Sequence, residues 1–323
     1  MNQLTRLVEC VPNVSEGRRP EVVDEIVAAF AGAGPGVLVL DRSSDPDHHR
    51  TVITLMGPGP ALVEAAVAGA RACARLIDLN HHRGVHPRMG ALDVLPFVPF
   101  GAETRLRSGD DPDLDCAALA ERAGRRIAAE AGVPVYLYGA AARHPGWAAL
   151  PAVRGRGFEA LQAALAAGDA GRVPDFGGPG LHPTAGAAAV GAREVLIAYN
   201  VELAGADLAL ARRIASAVRE RDGGLPAVRA MGVPIEGREP GLVQVSMNLL
   251  DWRATPPAAA YAAVAALAER NGARVEASEI VGLVPAGALD GVDPADLRLR
   301  DFTPGKLLET RLLQAMTTSK EFR

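Results

Sequence analysis

Aromatic side chains are scarce, at 4% of 323 residues, and no apolar run approaches a membrane span, which takes roughly 20 residues. No membrane partner is therefore expected. Cysteine is also sparse. The three residues Cys10, Cys73 and Cys116 are far apart and odd in number, which excludes a disulfide framework and a CxxC metal site. They read as packed thiols in a reducing compartment, and the cytoplasm is the expected location. The N-terminal residues lack the apolar core of a secretion signal. Excess positive charge is missing too: the formal net charge is -4, so no nucleic-acid partner is expected. No GxxxxGK[ST] phosphate loop occurs. Finally, no histidine follows residue 182. Any imidazole chemistry therefore belongs to the first half of the chain, with the second half building a wall of the site.

The chain is 49% hydrophobic and 22% charged, an ordinary globular balance at a length that favours two domains. Strand-like runs at 7–11, 37–40, 51–56 and 91–98 alternate with helical spacing at 20–30 and 61–77, giving the order β-α-β-β-α-β. A helix over 113–131 and a strand over 135–138 extend it. The Gly- and Pro-rich stretch 172–186 reads as a junction. The order then recurs, with strands at 195–203, 227–235, 242–250 and 280–285 and helices at 207–219 and 257–270. The expected fold is α/β (α+β), with two ferredoxin-like subdomains, 1–178 and 179–323, whose sheets face each other across a ligand cleft.

The densest chemistry lies in His81-His82-Arg83-Gly84-Val85-His86-Pro87-Arg88-Met89-Gly90-Ala91-Leu92-Asp93-Val94. Gly84 and Pro87 oppose a continuous helix. The segment therefore reads as a loop that delivers a His and an Arg to the mouth of a buried strand. Imidazole titrates nearest neutrality, which suits proton transfer, and the Arg88 fork suits a carboxylate. The same break argues against a metal site built from His81, His82 and His86, so no metal is expected. Asn13 and Glu16 follow the first strand and are expected near the same mouth.

Several stretches carry a family resemblance. They include Val8-Glu9-Cys10-Val11-Pro12-Asn13-Val14-Ser15-Glu16-Gly17, Arg50-Thr51-Val52, Gly84 to Val94, Pro134 to Gly139, Pro174-Asp175-Phe176-Gly177, Leu196 to Asn200, Val245 to Asp251 and Val281 to Pro285. In this order, over nearly the whole chain, they resemble the formiminotransferase domain of glutamate formimidoyltransferases. The resemblance implies transfer of a formimidoyl group from N-formimidoyl-L-glutamate to N5 of tetrahydrofolate, with tetrahydrofolate as co-substrate. It implies His86 as acid and base, and Asn13, Arg50 and Arg88 as substrate-binding residues. It also implies a folate-contacting segment Gly177-Gly178-Pro179-Gly180-Leu181-His182-Pro183-Thr184-Ala185-Gly186, and a homodimer. The chain ends without the cyclodeaminase domain fused in animal members, so a separate cyclodeaminase is expected to act on the product.

Four positions depart from the family pattern. Val85 stands where animal members have Glu, His49 where Asn is usual, Ser43 where an acid is usual, and Ala185 where the folate segment carries an aromatic. Loss of a carboxylate next to His86 bears on its orientation and pKa. Three alternatives follow: a same-fold transferase with another donor such as N-formyl-glutamate, a non-catalytic folate-binding protein, and a metal-dependent hydrolase using His81, His82 and His86.

Overall fold

The computed structural model describes residues 4–84, 87–107, 110–235 and 242–318. The chain divides into two compact units. One takes in the described residues up to Arg193 together with 314–318; the other takes in those within Glu194–Leu313.

In the first unit, β1 (Leu7–Cys10) and β2 (Asn13–Val14) form one strand interrupted at Pro12, which has no N–H to pair. Next come α1 (Pro20–Ala31), β3 (Leu38–Asp45), β4 (Arg50–Pro58), α2 (Gly59–Leu76) and β5 (Leu92–Pro99). β1 and β2 both lie antiparallel between β4 and β5, and β3 pairs the outer side of β4. This is the ferredoxin-like βαββαβ arrangement expected from the alternating periodicities. α3 (Cys116–Ala131) then leads to β6 (Val135–Gly139). The Asp115 carboxylate accepts the Ala118 N–H at 2.9 Å and caps the start of α3.

The Gly- and Pro-rich stretch belongs to this first unit. It is followed by β7 (Ala188–Ala192), which pairs parallel with β5 and β6 and carries the unit on to Arg193. Its sequence, Ala-Ala-Val-Gly-Ala, has little intrinsic strand preference, and complete burial between two strands decides its conformation. Two short helices, α4 (Leu150–Arg154) and α5 (Phe158–Ala166), were also not expected.

The faces of the sheet follow from the side chains. Val8, Cys10, Ile53, Leu55, Leu95, Phe97, Leu137 and Val190 join α1, α2 and α3 in one core. On the opposite face, Val94, Tyr136, Tyr138 and Ala189 pack with Trp147, Val153 and Leu161. Helix α1 buries Val23, Ile26 and Phe30 at helical spacing. Phe30 sits so tightly against α2 that a Cβ at Gly69 would overlap its ring.

The second unit contains β8 (Ile197–Ala204), α6 (Leu208–Val218), β9 (Val228–Pro234), β10 (Val243–Leu249), α7 (Pro257–Arg270) and β11 (Arg274–Val281). Its sheet is antiparallel in the order β11-β8-β10-β9, again βαββαβ. Ile197, Tyr199, Val201 and Leu203 alternate inward with Val243, Val245, Met247 and Leu249. The last strand lies earlier than the apolar run 280–285 suggests. Val275, Ser278 and Ile280 are the inward residues, in phase across a bulge between Val275 and Ala277. Val284 is buried outside the sheet, its N–H donating to the Lys306 carbonyl. The last helix among the described residues is α8 (Leu308–Thr318).

The Gly69 contact gives a direct test. Gly69→Val overpacks α1 against α2 and is expected to cost about 1–3 kcal/mol. Gly146→Ala, where an added Cβ meets nothing within 4 Å, leaves stability near wild type. Thermal melts of the two variants check this; equal shifts would contradict it.

Candidate functional site

The polar groups of the first unit gather where β2, β4 and β5 begin or end and where the 77–91 loop crosses them. At the centre is Asp93, fully buried on β5. Its Oδ1 accepts the Met89 N–H at 2.8 Å. Its Oδ2 accepts Nη1 of Arg50 at 2.6 Å and Nη2 of Arg154 at 2.7 Å. Arg50, the first residue of β4, also sends Nε and Nη2 to the Asn13 Oδ1 at 3.0 and 2.8 Å. The Asn13 amide in turn donates to the Val11 carbonyl at 2.9 Å. Burial works against the charged form of Asp93. The two guanidiniums and the Met89 N–H outweigh it and hold the carboxyl below its ordinary range. Asn13 and Arg50 are thus together, as expected, but much of each is committed to this network.

Glu16 forms a second centre just ahead of α1. Its Oε1 accepts the N–H groups of Gly17, Arg18 and Arg19 at 3.0, 2.8 and 3.0 Å. Its Oε2 accepts Nε of Arg19 at 2.7 Å. Burial opposes ionisation here as well, but the Arg18 N–H and the Arg19 side chain and N–H keep the carboxyl below its usual range. Helix N-terminal N–H groups favour an anion at this place.

The Glu16 carboxylate meets His49 Nε2 at 3.0 Å, while His49 Nδ1 lies 3.0 Å from the Arg83 carbonyl. Both ring nitrogens therefore face acceptors. His49 has φ 51°, a left-handed conformation in which Asn, Asp and His are enriched. Its ring stacks on His82, with centroids 4.1 Å apart and planes 8° apart. His82 Nε2 donates to the His49 carbonyl at 2.9 Å. His82 is a buried ring, whereas His81 is a surface residue. Burial pushes the pKa of His82 down. The His49 carbonyl opposes that shift, and the His49 and Arg88 charges add to it.

Arg88 stands beside this pair. Its fork is engaged by Glu159 of α5, at 3.0 and 2.8 Å, and it also reaches the carbonyls of Leu79 and His82. The expected carboxylate capture is thus met by a carboxylate of the chain itself. Asn80, His82, Arg83, Arg88, Glu159 and Gln162 line a hollow of about 330 Å³ here. Val85 and His86, the expected acid/base, lie outside the described residues.

The segment 177–186 is tied to the same loop. The Leu79 N–H donates to the Thr184 carbonyl at 2.8 Å, the Ala91 N–H to the Ala185 carbonyl at 2.9 Å, and Asn80 Nδ2 to the Pro183 carbonyl at 3.1 Å. His182 and Gly186 exchange backbone hydrogen bonds at 2.9 and 3.0 Å, and the His182 Nδ1 accepts the Ala185 N–H. Gly186 has φ 67°, and a Cβ there would run into the Met89 carbonyl. Ala185 is buried with its methyl in the core, so the position offers no ring face. Gly177, Gly178, Pro179 and Gly180 are exposed.

Among the described residues no group of three His, Cys, Asp or Glu could hold a metal, and no helix is long and apolar enough to cross a membrane. The three cysteines are free and buried. Arg154, Glu159 and the burial of His82 were not foreseen. Arg154 and Glu159 lie more than sixty residues from their partners, and no local spacing signals such pairs.

Sequence comparison places this arrangement among the one-carbon group transferases. The formiminotransferase domain, N-terminal subdomain, matches residues 7–193, and the formiminotransferase domain matches residues 198–296. The chain belongs to the formiminotransferase family. It is 42% identical to a glutamate formimidoyltransferase of Thermoplasma acidophilum, over 96% of this chain and 98% of that protein. It is 38% identical to one of Streptococcus pyogenes serotype M1, over 96% of this chain and 100% of that protein. The formimidoyltransferase-cyclodeaminase of Sus scrofa is 42% identical over 88% of this chain, which spans 51% of that longer protein.

The buried neutral imidazole has a pH signature. His82 has a lowered native pKa, so the unfolded state takes up the proton first as the pH falls from about 6.5. Stability tied to His82 is then complete above that value and is lost as the pH drops toward the native pKa. His82→Gln keeps a donor for the His49 carbonyl but does not titrate. The variant is expected to lose less stability than wild type between pH 7 and 5, read from urea midpoints; parallel curves would contradict this.

Proposed function

We propose that the protein transfers a formimidoyl group from N-formimidoyl-L-glutamate to N5 of tetrahydrofolate, releasing L-glutamate and 5-formimidoyltetrahydrofolate. N5 attacks the amidine carbon, and its bond to that carbon forms as the carbon–nitrogen bond to glutamate breaks. N5 gives up a proton and the departing nitrogen needs one. His86, between the two nitrogens, takes the first and supplies the second. The observation that carries this reading is the anchoring of the 77–91 loop on either side of His86. The Arg83 carbonyl is held by His49, whose other ring nitrogen rests on Glu16; Arg88 is held by Glu159, and Met89 by Asp93.

In this reading Asn13, Arg50 and Arg88 are substrate-binding residues, Arg88 exchanging the exposed Glu159 carboxylate for that of a substrate. The exposed Gly177–Gly180 stretch offers backbone groups to the pterin, and the 181–186 hairpin anchors it. The enzyme works as a cytoplasmic homodimer, and a cyclodeaminase, as named in the relative of Sus scrofa, acts on the product. The departures at Val85 and Ser43 keep N-formyl-glutamate as a second donor.

The test is an assay with tetrahydrofolate and each donor, with product read after acid conversion to the methenyl form. Wild type turns over N-formimidoyl-L-glutamate, and His86→Ala loses about 10²–10⁴-fold in kcat while still binding tetrahydrofolate. Turnover persists after thorough chelation. A fully active His86→Ala would move the proton chemistry elsewhere, and turnover of N-formyl-glutamate alone would change the donor.

A further inference from the structure

Arg154 closes the five-residue helix α4 and turns back through Gly155 and Gly157, whose φ values are 56° and 94°. Its side chain is only 12% exposed. Asp93 is its one hydrogen-bond partner among the described residues, through Nη2 at 2.7 Å. Its Nε is buried there without a partner. Arg50 differs: all three of its nitrogens are engaged, by Asn13 and Asp93.

One carboxylate is thus shared by two guanidiniums, and these three groups carry one positive charge more than negative. A buried charge without a counter-ion is unfavourable. Burial lowers the pKa of Arg50, Asp93 opposes this, and Arg154 adds to it. The nearby Tyr138 phenol is pushed up to about 12 by burial and stays a neutral donor. Among the described residues Asp93 is the one carboxylate paired with both guanidiniums, and Arg154 keeps unspent donors to receive a further anion.

We propose that Arg154 is a substrate-binding residue that pairs with a carboxylate of the glutamate moiety of the donor, the Arg50–Asp93 pair fixing its orientation. This rests on the reading of the protein as a formimidoyltransferase. The choice of the donor over folate follows from reach. Asp93 holds the Met89 N–H, and Met89 follows His86 by three residues, a span of at most about 11 Å. The donor's carboxylates lie a few bonds from the reacting carbon. Those of folate lie beyond its aminobenzoyl ring.

Arg154→Gln and Arg154→Lys in the full chain test this by calorimetry with L-glutamate and, separately, tetrahydrofolate. Circular dichroism and melting confirm the fold of each. L-glutamate binding is expected to weaken about 10–100-fold in Arg154→Gln and less in Arg154→Lys, with tetrahydrofolate binding within about twofold of wild type. In the assay, KM for the donor rises while KM for tetrahydrofolate does not. Unchanged L-glutamate binding in Arg154→Gln, no L-glutamate binding by wild type, or a loss confined to tetrahydrofolate would each overturn the proposal. If wild type fails to turn over N-formimidoyl-L-glutamate yet binds L-glutamate through Arg154, the proposed reaction fails and the site stands. Turnover by both variants with unchanged KM leaves the reaction standing and removes the site.

Discussion

The buried carboxylate of Asp93 is the constraint on which the first unit's polar architecture depends. It joins β5 to β4 through Arg50, to β2 through Arg50 and Asn13, to α4 through Arg154, and to the 77–91 loop through the Met89 N–H. Each partner would be costly to bury alone. Asp93 lets two guanidiniums lie 88% buried beside a hydrophobic core. The sheet supplies the rigidity, since β5 is flanked by pairing strands on both edges.

Around that anchor the loop is held from several directions by chemically different contacts. Glu16 draws on the N–H groups ahead of α1 and passes its hold to the loop through His49. The stacked His82 adds a flat, neutral surface. Glu159 neutralises Arg88, and the 182–186 hairpin holds the backbone at both Leu79 and Ala91. Elements far apart in sequence thus converge on the loop that carries His86, and this convergence makes acid/base work the favoured reading. Family membership points to formimidoyl transfer, and the His86 base and the donor both rest on proposal.

Much of the fold was legible in the sequence because period-2 runs and helical spacing alternate cleanly. α1, α2, β5, α6, α7, β8 and β10 fall close to where the apolar patterns put them. β7 was hidden because Ala-Ala-Val-Gly-Ala gives no strand signal apart from its burial. β11 was displaced because a bulge breaks its alternation and the adjoining apolar run packs outside the sheet. In the site, Asn13 and Glu16 were expected near one mouth; Asn13 pairs with Arg50 on the Asp93 network, and the Glu16 carboxylate forms a second centre with His49. The partners of Arg88 and Asp93 were not legible, since Glu159 and Arg154 sit on short helices with weak local pattern. The burial of His82 was equally hidden: its neighbours read as a polar loop, and the stacking His49 comes from the turn between β3 and β4.

The central claim is that Asp93 holds the 77–91 loop in place. Amide hydrogen exchange in wild type and Asp93→Asn tests it most directly. The account predicts that the Met89 N–H and its loop neighbours lose protection in the variant, while β8 and β10 of the second unit keep theirs. Unchanged protection at Met89 in a folded Asp93→Asn variant would contradict it.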